Sequence, residues 1–376
     1  MSRTVLFAGG GTGGHIYPNV AIVERLRERA SALTPAFLVS ERPGDAAILG
    51  KLGLPMHTSC VQPLPSVRKP WRALPFLLAW RRAVAQAVAL LQRERVVAVV
   101  ATGGFVSGPA LVAARKLGLP RAMVNLDAIP GKANAHLRRE CSVVFSAYVT
   151  AAVQAALPGA RHVGFPLRRV SLGSGSREDA CTRLGLDPAR PLLFVTGATH
   201  GAESIVRALM AFVAAPARAQ ALSRWQVLHQ CGSFDVATLQ RAYDDAGVRA
   251  KVVAFCDRMG DAWHAAALAV SRAGAGSVAE AWANAAPTVF LPNPYHADGH
   301  QRANVEPLLE AGGAIVVEDR IDPQANLDGL GGTLQRLLGD DAERERLRAA
   351  LQASRLPDGA TTIADWLAET ADASAA

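Results

Sequence analysis

The chain is 376 residues long, about two to three times the usual length of one domain, so its length favours two domains. Half of the residues are hydrophobic and 19% are charged, which excludes a disordered chain, and five widely spaced cysteines without a CxxC pair argue against disulfides and a thiolate zinc site. The net charge of +8 is uneven, because residues 1–170 hold 22 Lys and Arg against 7 Asp and Glu, a balance of +15, and the rest has a balance of −7.

The first 170 residues begin with a strand at 4–8, a glycine loop at 9–14 and a helix from about Pro18. That helix carries apolar residues on one face, namely Val20, Val23 and Leu26. Further apolar runs, separated by helical stretches, predict strands at 36–39, 96–100 and 122–124. Because these runs do not alternate with polar residues, they are typical of a parallel sheet with helices on both faces.

A flexible Gly/Ser-rich stretch at 171–177 interrupts the pattern and predicts the domain boundary. Six further apolar runs predict a second parallel sheet, at 192–195, 226–229, 252–255, 268–270, 288–291 and 314–317. The segment from residue 357 is mostly helical. We therefore predict an α/β protein of two doubly wound domains facing each other across a cleft, with the ligand where strand ends and helix N-termini converge.

The charge pattern and the N-terminus limit the partners. A basic half suits nucleic acid, an anionic membrane surface or a phosphorylated substrate. Aromatic residues make up only 6% and no nucleic-acid-binding motif is recognisable, so we expect no nucleic-acid partner. We see neither a signal peptide nor about 18 consecutive apolar residues, which predicts a cytoplasmic chain without a membrane span.

The first glycine loop, GGGTGGH at 9–15, precedes a helix and can bring backbone amides close to a pyrophosphate. It also satisfies GxGxxG, and Glu41 lies where a dinucleotide site keeps the acid that binds ribose, so a nicotinamide-dependent oxidoreductase is an alternative. His15 ends the loop. A histidine titrates near neutral pH and suits a general base, with a helix-capping or solvated imidazole as the alternative.

Three other polar segments follow predicted strands. TGGFVSGP at 102–109 predicts a second diphosphate loop, unless it is an ordinary turn. SRAGAGS at 271–277 opens a helix whose amides suit another diphosphate, and Glu280 on that helix could bond a ribose diol or simply favour the helix start. Beyond 291 come residues placed to read a sugar, namely His296, Asp298, His300, Gln301 and Asn304. We expect no metal there, because no further acid or thiolate lies near.

In this order the motifs resemble those of the MurG-type UDP-N-acetylglucosamine transferases of peptidoglycan synthesis, over nearly the whole chain. The segments that carry the resemblance are GGGTGGHIYP at 9–18, GGFVSGP at 103–109, HQCG at 229–232, RAGAGSVAE at 272–280 and HQRAN at 300–304. The resemblance implies the GT-B fold. It places an acceptor-binding and membrane-facing domain at 1–168, a UDP-sugar-binding domain at 169–356, and a last helix at about 357–376 that packs back on the first domain.

The resemblance also implies the reaction. GlcNAc would move from UDP-GlcNAc to the 4-hydroxyl of MurNAc in undecaprenyl-pyrophosphoryl-MurNAc-pentapeptide, with inversion, without metal and without a cofactor. The expected partners are these two substrates and the anionic inner face of the cytoplasmic membrane. Basic and apolar side chains interleave at 68–82, as an interfacial helix needs, with a core helix that has a solvated basic face as the alternative.

Individual residues carry over by position. The resemblance makes His15 the base that takes the acceptor's proton, and Asp127 is a second candidate for a base or an acid that orients one. The residues expected to bind the acceptor diphosphate are Gly11, Thr12, Gly13, Gly14, Gly104, Phe105 and Ser107. The residues expected to bind the donor UDP-GlcNAc are Asn134, Arg168, Thr199, His200, Gly201, Cys256, Met259, Arg272, Gly274, Ala275, Gly276, Ser277, Glu280, His300, Gln301 and Asn304.

Three segments depart from the family pattern near the predicted reactive centre. The family's GGSQGA is GATHGA at 197–202, its HEQN is VNLD at 124–127, and Phe165 replaces the asparagine of GNP. These departures leave two alternatives open. One is a related UDP-sugar transferase with a different acceptor, and the other is a catalytically silent UDP-sugar-binding paralogue.

Overall fold

The computed structural model describes residues 3–29, 32–62, 73–197, 202–295, 298–354 and 356–373. The chain divides into two compact units. Unit 1 contains Met1–Arg168 and Pro357–Ala376, and unit 2 contains Arg169–Leu356. Each unit is built on a parallel sheet with helices between successive strands, so the predicted α/β class with two parallel sheets is confirmed.

The described residues of unit 1 form a seven-stranded sheet in the order β3-β2-β1-β4-β5-β6-β7. Its strands are β1 Arg3–Gly9, β2 Leu33–Ser40, β3 Met56–Ser59, β4 Val96–Gly103, β5 Arg121–Asn125, β6 Val143–Ser146 and β7 Arg161–His162. Its helices are α1 Gly13–Glu28, α2 Pro43–Lys51, α3 Ala73–Arg93, α4 Ser107–Lys116, α5 Lys132–Leu137, α6 Ala151–Ala156 and, after unit 2, α17 Gly359–Ala373. Strand order reverses between β1 and β4, where Gly9 pairs with Gly103. The two glycine loops therefore open side by side, where parallel sheets bind ligands.

The described residues of unit 2 form a six-stranded sheet in the order β10-β9-β8-β11-β12-β13. Its strands are β8 Leu192–Thr196, β9 Gln226–Gln230, β10 Ala250–Val253, β11 Ala266–Ser271, β12 Thr288–Phe290 and β13 Ala314–Val316. Its helices are α7 Arg177–Arg183, α8 Glu203–Ala214, α9 Pro216–Ala219, α10 Val236–Asp245, α11 Met259–Ala265, α12 Ala275–Ala283, α13 His300–Glu310, α14 Pro323–Asn326, α15 Gly332–Gly339 and α16 Asp341–Ala353. A π-helical turn at Leu327–Gly331 precedes α15. The order reverses between β8 and β11, where Thr196 pairs with Ser271.

Two boundaries differ from the sequence prediction. α1 begins at Gly13 rather than near Pro18, because Thr12 adopts the extended N-cap conformation (φ −154°, ψ 155°) and leaves Pro18 inside the helix. β10 lies two residues before the predicted run at 252–255, because it is an edge strand and Phe255 beyond it is 44% exposed. The short strands β3, β6 and β7 were not predicted at all.

The stretch at 171–177, predicted to be flexible, is packed within unit 2. The Ser171 side chain is buried and donates from Oγ to Glu280 Oε1 at 2.7 Å. The Gly173 amide donates to Asn284 Oδ1 at 2.8 Å, and a Cβ on Gly173 would lie 2.2 Å from the Cβ of His264. The glycine is therefore needed for close packing rather than for flexibility.

Helix α17 packs against α1 in unit 1 and buries Ile363, Ala364 and Leu367. Nearby, the Arg25 side chain is 1% exposed; its Nε donates to Asp358 Oδ2 at 3.0 Å. The Nη2 of the same guanidinium donates to the Leu167 carbonyl at 3.1 Å. One buried arginine thus joins α1 to the chain segments that leave and re-enter unit 1.

Among the described residues, α3 is long and apolar enough over Leu74–Arg93 to cross a membrane, with 28% of that stretch buried. The helices Glu203–Ala214 and Pro216–Leu222 meet the same criterion only as a pair, bent by 98°. Core helices of water-soluble proteins also meet it. The segment 63–72, which includes part of the predicted interfacial helix, lies outside the described residues.

Candidate active site

His15 lies in the first turn of α1, at the switch point of the unit 1 sheet. Its Nδ1 lies 3.2 Å from the Gly10 carbonyl oxygen, which can only accept, so in the neutral imidazole this contact favours the tautomer with the proton on Nδ1 and the lone pair on Nε2. The Thr102 hydroxyl donates to the His15 carbonyl at 2.5 Å, and Asn19 Nδ2 donates to Thr102 Oγ1 at 2.9 Å. These bonds fix the first turn of α1 to the end of β4 and orient the imidazole.

The second glycine loop lies directly against that imidazole. Gly103 and Gly104 have φ values of +111° and +78°, and a Cβ on Gly103 would lie 3.2 Å from His15 Nε2. A Cβ on Gly104 would lie 2.7 Å from the Gly10 carbonyl oxygen. Both positions therefore require glycine, for backbone conformation and for space beside His15. The Ser107 hydroxyl is buried and donates to the Gly103 carbonyl at 2.7 Å, so it orders this loop.

The first glycine loop has two kinds of amide. Thr12, Gly13 and Gly14 lead into α1, where no side chain caps the helix, so their N–H groups suit an anion as predicted. The Gly11 amide instead donates to Asp45 Oδ2 at 2.7 Å. Of the loop residues predicted to bind the diphosphate, Gly11 therefore differs from the other three, because its amide faces a buried carboxylate.

Asp127 and Asn134 also lie on this edge of unit 1. Asn134 Nδ2 donates to Asn125 Oδ1 at 3.3 Å, and Asn125 Nδ2 donates to the Asp127 carbonyl at 2.8 Å. Asn134 Oδ1 lies 3.9 Å from where a Cβ on Gly103 would be, so this predicted donor residue belongs with the His15 cluster. Asp127 follows β5, and β4 separates β5 from the strand that leads to His15. Burial, and then the Asp127 charge, raise the pKa of Tyr148.

Arg168, the last residue of the first segment of unit 1, stacks on α1. Its guanidinium carbon lies 3.9 Å from the ring centroid of Tyr17, a cation–π distance. Phe165, which replaces the family asparagine, is 8% exposed. The structure thus attaches Arg168 to the helix that carries His15.

In unit 2, the N-terminus of α12 provides an anion-receptive group of amides. Gly274 is the N-cap, no side chain caps the helix, and the first intrahelical bond runs from Val278 N–H to the Gly274 carbonyl. The amides that precede it belong to Ala275, Gly276 and Ser277, all predicted to bind the donor. Their N–H groups and the helix dipole suit a diphosphate.

Glu280, on the same helix, is held from two sides. Its Oε1 accepts from the Ser171 hydroxyl at 2.7 Å, and its Oε2 accepts from Trp263 Nε1 at 3.0 Å. Both donors fix the direction of the carboxylate, so a ribose diol would share oxygens that are already oriented. Trp263 is fully buried and was not predicted as part of the site.

Arg272 is engaged within the protein rather than open to a ligand. Its Nη1 lies 2.6 Å from Asp319 Oδ2 and its Nη2 donates to Ser204 Oγ at 2.7 Å. The Ser204 hydroxyl in turn donates to Asp319 Oδ2 at 2.6 Å. These contacts support a positioning role for Arg272, because the network joins the first turn of α8 to the loop before α12; its contact with the donor stays a prediction.

The HQ pair of β9 divides between core and loop. His229 is buried; its Nδ1 lies 2.9 Å from the Tyr243 hydroxyl, and burial lowers its pKa to about 3. Gln230 Oε1 accepts from the Cys256 amide at 3.0 Å and thereby holds the loop after β10. Burial raises the pKa of the Cys256 thiol, so Cys256 stays protonated; nearby, Phe255 is exposed and Met259, also predicted to bind the donor, is half-buried.

The predicted sugar-reading residues of α13 have separate positions. His300 Nδ1 lies 2.6 Å from Asp298 Oδ1, near the surface. Gln301 Oε1 accepts from the Asn293 amide at 2.9 Å. Asn304 is fully buried and donates from Nδ2 to the Ala273 carbonyl at 3.4 Å, so it supports the start of α12; its contact with the sugar stays a prediction.

Several predicted residues lie outside the described part of the chain. These are Thr199, His200 and Gly201 of the 197–202 loop, and His296. Among the described residues, no group of three or more His, Cys, Asp and Glu side chains is placed to hold a metal ion.

Sequence reasoning missed Arg42, Asp45, Trp263 and Asp319, and it gave no separate role to Thr102, the first residue of the predicted second loop. Trp263 lies four residues after Met259, which was predicted to bind the donor, and this proximity was the available signal. Asp319 follows β13 in a stretch without any motif, and its contact with Arg272 joins residues 47 positions apart. Only the three-dimensional arrangement reveals such a pair.

Known proteins share both halves of this architecture. The family model "Glycosyltransferase family 28 N-terminal domain" matches residues 5–146, and "Glycosyltransferase family 28 C-terminal domain" matches residues 192–366. Two curated relatives are named UDP-N-acetylglucosamine--N-acetylmuramyl-(pentapeptide) pyrophosphoryl-undecaprenol N-acetylglucosamine transferase. The one from a Nocardioides species is 37% identical and covers 94% of each chain. The one from Alkalilimnicola ehrlichii is 33% identical over 97% of this chain and 98% of its own.

Solved structures agree on the fold. The MurG of Acinetobacter baumannii superposes with a TM-score of 0.71 at 24% identity, covering 97% of this chain and 99% of its own. The calicheamicin glycosyltransferase CalG4 has a TM-score of 0.65 at 16% identity, covering 98% of each chain. The predicted GT-B fold and the resemblance read from the motifs are both confirmed. The chain belongs to glycosyltransferase family 28, among its MurG-type transferases.

Proposed function

We propose that this enzyme transfers GlcNAc from UDP-GlcNAc to the 4-hydroxyl of MurNAc in undecaprenyl-pyrophosphoryl-MurNAc-pentapeptide, with inversion at the anomeric carbon. The names of its relatives, which are 37% and 33% identical over nearly the full length of the chain, support this assignment. Unit 1 takes the lipid acceptor and unit 2 takes the nucleotide sugar. The positive charge of residues 1–170 suits an acceptor that carries a diphosphate.

The geometry of His15 is the observation that carries the mechanism. In the neutral ring, the contact of Nδ1 with the Gly10 carbonyl favours the tautomer whose Nε2 is free to accept a proton. The 4-hydroxyl oxygen attacks the anomeric carbon as its proton passes to Nε2. The bond from that carbon to the β-phosphate oxygen breaks, and its electron pair leaves with UDP.

The leaving diphosphate is stabilised by groups fixed before the reaction. The amides of Ala275, Gly276 and Ser277 provide N–H donors and the positive end of the α12 dipole. Glu280, oriented by Trp263, binds the uridine ribose. We propose that these groups make a divalent cation and any cofactor unnecessary, and turnover should therefore be unchanged in EDTA.

The exposed face of α3 supports a peripheral position on the anionic inner face of the membrane. Leu74, Leu77 and Leu78 are 68%, 53% and 55% exposed, and Arg81 and Arg82 follow at the surface. Apolar side chains beside arginines suit an anionic lipid surface. Sedimentation with phosphatidylglycerol vesicles should fall in a Leu77→Asp, Leu78→Asp variant and persist in a Gln154→Asp, Ala155→Asp control, which adds the same two charges at exposed residues of α6.

The deciding experiment is UDP release from UDP-GlcNAc with the undecaprenyl-linked MurNAc-pentapeptide in detergent. His15→Ala should lower kcat by about 10²- to 10⁴-fold, as expected for loss of a general base. His136→Ala, at an exposed histidine of unit 1, is the matched control and should retain turnover. Full activity in His15→Ala would refute the assigned base.

Asp127 provides the contrast with His15. Asp127→Asn retains full turnover if His15 alone is the base, and a loss comparable to that of His15→Ala would make Asp127 part of the catalytic pair. Absence of turnover in the wild type, with UDP-GlcNAc binding intact, would point to a related transferase with another acceptor. The acid that stands where the family has an amide favours that second candidate.

A further inference from the structure

A buried carboxylate lies against the first glycine loop. Asp45, in the first turn of α2, is 2% exposed, and its Oδ2 accepts from the Gly11 amide at 2.7 Å. The same oxygen accepts from the Ser40 hydroxyl at 2.5 Å and from the Ser40 amide at 3.2 Å. A Cβ on Gly10 would lie 2.5 Å from this oxygen, so the loop follows the carboxylate closely.

This contact decides which way the Gly11 peptide faces. Its N–H points inward to Asp45, and a phosphate on that amide would meet a like charge at short range. Its carbonyl oxygen points to Arg42, whose Nη1 donates to it at 2.8 Å. A bare carbonyl would repel an anion on this side of the loop, and the guanidinium reverses the sign of the local charge.

Arg42 also reaches the second glycine loop. Its guanidinium carbon lies 5.9 Å from the ring centroid of Phe105, which places it beside both loops. The side chain is exposed, and within the described residues its hydrogen bond is made by Nη1. Nε and Nη2 remain as donors toward solvent, in the fork geometry that matches phosphate oxygens.

We propose that Arg42 binds the diphosphate of the lipid acceptor, and that Asp45 orients the first glycine loop for this contact by holding the Gly11 amide. The inference rests on the proposed function, because it takes the acceptor to carry a diphosphate. The amides of Thr12, Gly13 and Gly14 act together with Arg42, and the Gly11 amide takes no part.

Steady-state kinetics on the full chain separate the two substrates. Arg42→Ala should raise the KM for the undecaprenyl-linked acceptor about 10- to 100-fold, the range for hydrogen bonds to charged groups. The KM for UDP-GlcNAc should stay within about twofold of the wild-type value, and the thermal unfolding temperature should stay within about 2 °C of it. Arg42→Lys keeps the charge but loses the forked guanidinium, so its KM for the acceptor should lie between those of the wild type and Arg42→Ala. Arg161→Ala, at an exposed arginine of β7, removes the same charge and should change neither KM.

The proposal is overturned if Arg42→Ala raises only the KM for UDP-GlcNAc, or if it raises neither KM. Binding of undecaprenyl diphosphate in detergent separates its failure from failure of the proposed function. Binding by the wild type and Arg161→Ala, but not by Arg42→Ala, supports Arg42 even if no sugar is transferred. Equal binding by all three, with transfer intact in the wild type, refutes Arg42 and leaves the function standing.

Discussion

Replacing Asp319 by asparagine removes the negative charge opposite the Arg272 guanidinium. The Asp319 side chain is fully buried and that of Arg272 is 12% exposed. Asp319 also accepts from Ser204 Oγ, from Asn326 Nδ2 at 3.0 Å and from the Ile321 amide at 2.8 Å. Removal of one partner from a buried pair costs about 3–5 kcal/mol, and we expect Asp319→Asn to lower the free energy of unfolding of unit 2 by that amount.

Hydrogen exchange of the β11 and α12 amides during urea titration measures this loss locally, since a two-domain chain need not unfold in one transition. Asp322→Ala is the control. Asp322 lies three residues away and is exposed, and it caps α14 through a 2.8 Å bond from the Ala325 amide, so its loss should cost about 1 kcal/mol. A cost for Asp319→Asn no larger than that of Asp322→Ala would refute the reasoning.

The pH dependence provides an independent test of the same pair. Burial disfavours the charged form of Asp319, but hydrogen bonds from Ser204, Asn326 and the Ile321 amide, with the Arg272 charge, hold its pKa below the ordinary value. An unfolded aspartate titrates near pH 3.9. The difference between wild type and Asp319→Asn should therefore be constant above about pH 5 and shrink as the pH falls below about 4.

Three further outcomes are expected. Burial lowers the pKa of His229 to about 3, so stability should fall by about 1.4 kcal/mol per pH unit below about pH 6.5, and His229→Gln should flatten that slope in urea titrations. Gly104→Ala, whose Cβ would lie 2.7 Å from the Gly10 carbonyl oxygen, should lower kcat at least about tenfold without changing UDP affinity by calorimetry. Trp263→Phe, which removes the 3.0 Å bond to Glu280, should raise the KM for UDP-GlcNAc about fivefold and leave the acceptor KM unchanged. These expectations would be contradicted by equal pH slopes for wild type and His229→Gln, by full turnover of Gly104→Ala, or by an unchanged donor KM of Trp263→Phe.

The sequence predicted the sheets better than their edges. Central strands such as β1 and β8 are buried on both faces, and continuous apolar runs identify them. Two of the three missed strands, β3 and β7, lie at the edges of the unit 1 sheet, where partial exposure admits polar residues such as His57 and His162. Their assignment depends on a neighbouring strand, which a local pattern does not contain.

For the candidate site, motifs located the loops but not the direction of individual side chains. His15 was identified because it ends a glycine loop, and the structure places it against Gly103 as a loop residue should be. Arg272 and Asn304 were expected to face the donor, yet both bond within the protein. Whether a polar side chain in a motif faces ligand or backbone is decided by partners such as Asp319, far away in sequence.

The return of α17 to unit 1 has a consequence for synthesis. Unit 2 is continuous in sequence and can fold as soon as Leu356 has left the ribosome, whereas unit 1 lacks one of its packing helices until α17 has emerged. Until then, the surface of α1 that α17 covers stays open, and Arg25 lacks its Asp358 partner. A stop codon shortly before residue 357 would therefore damage the half of the protein that was translated first.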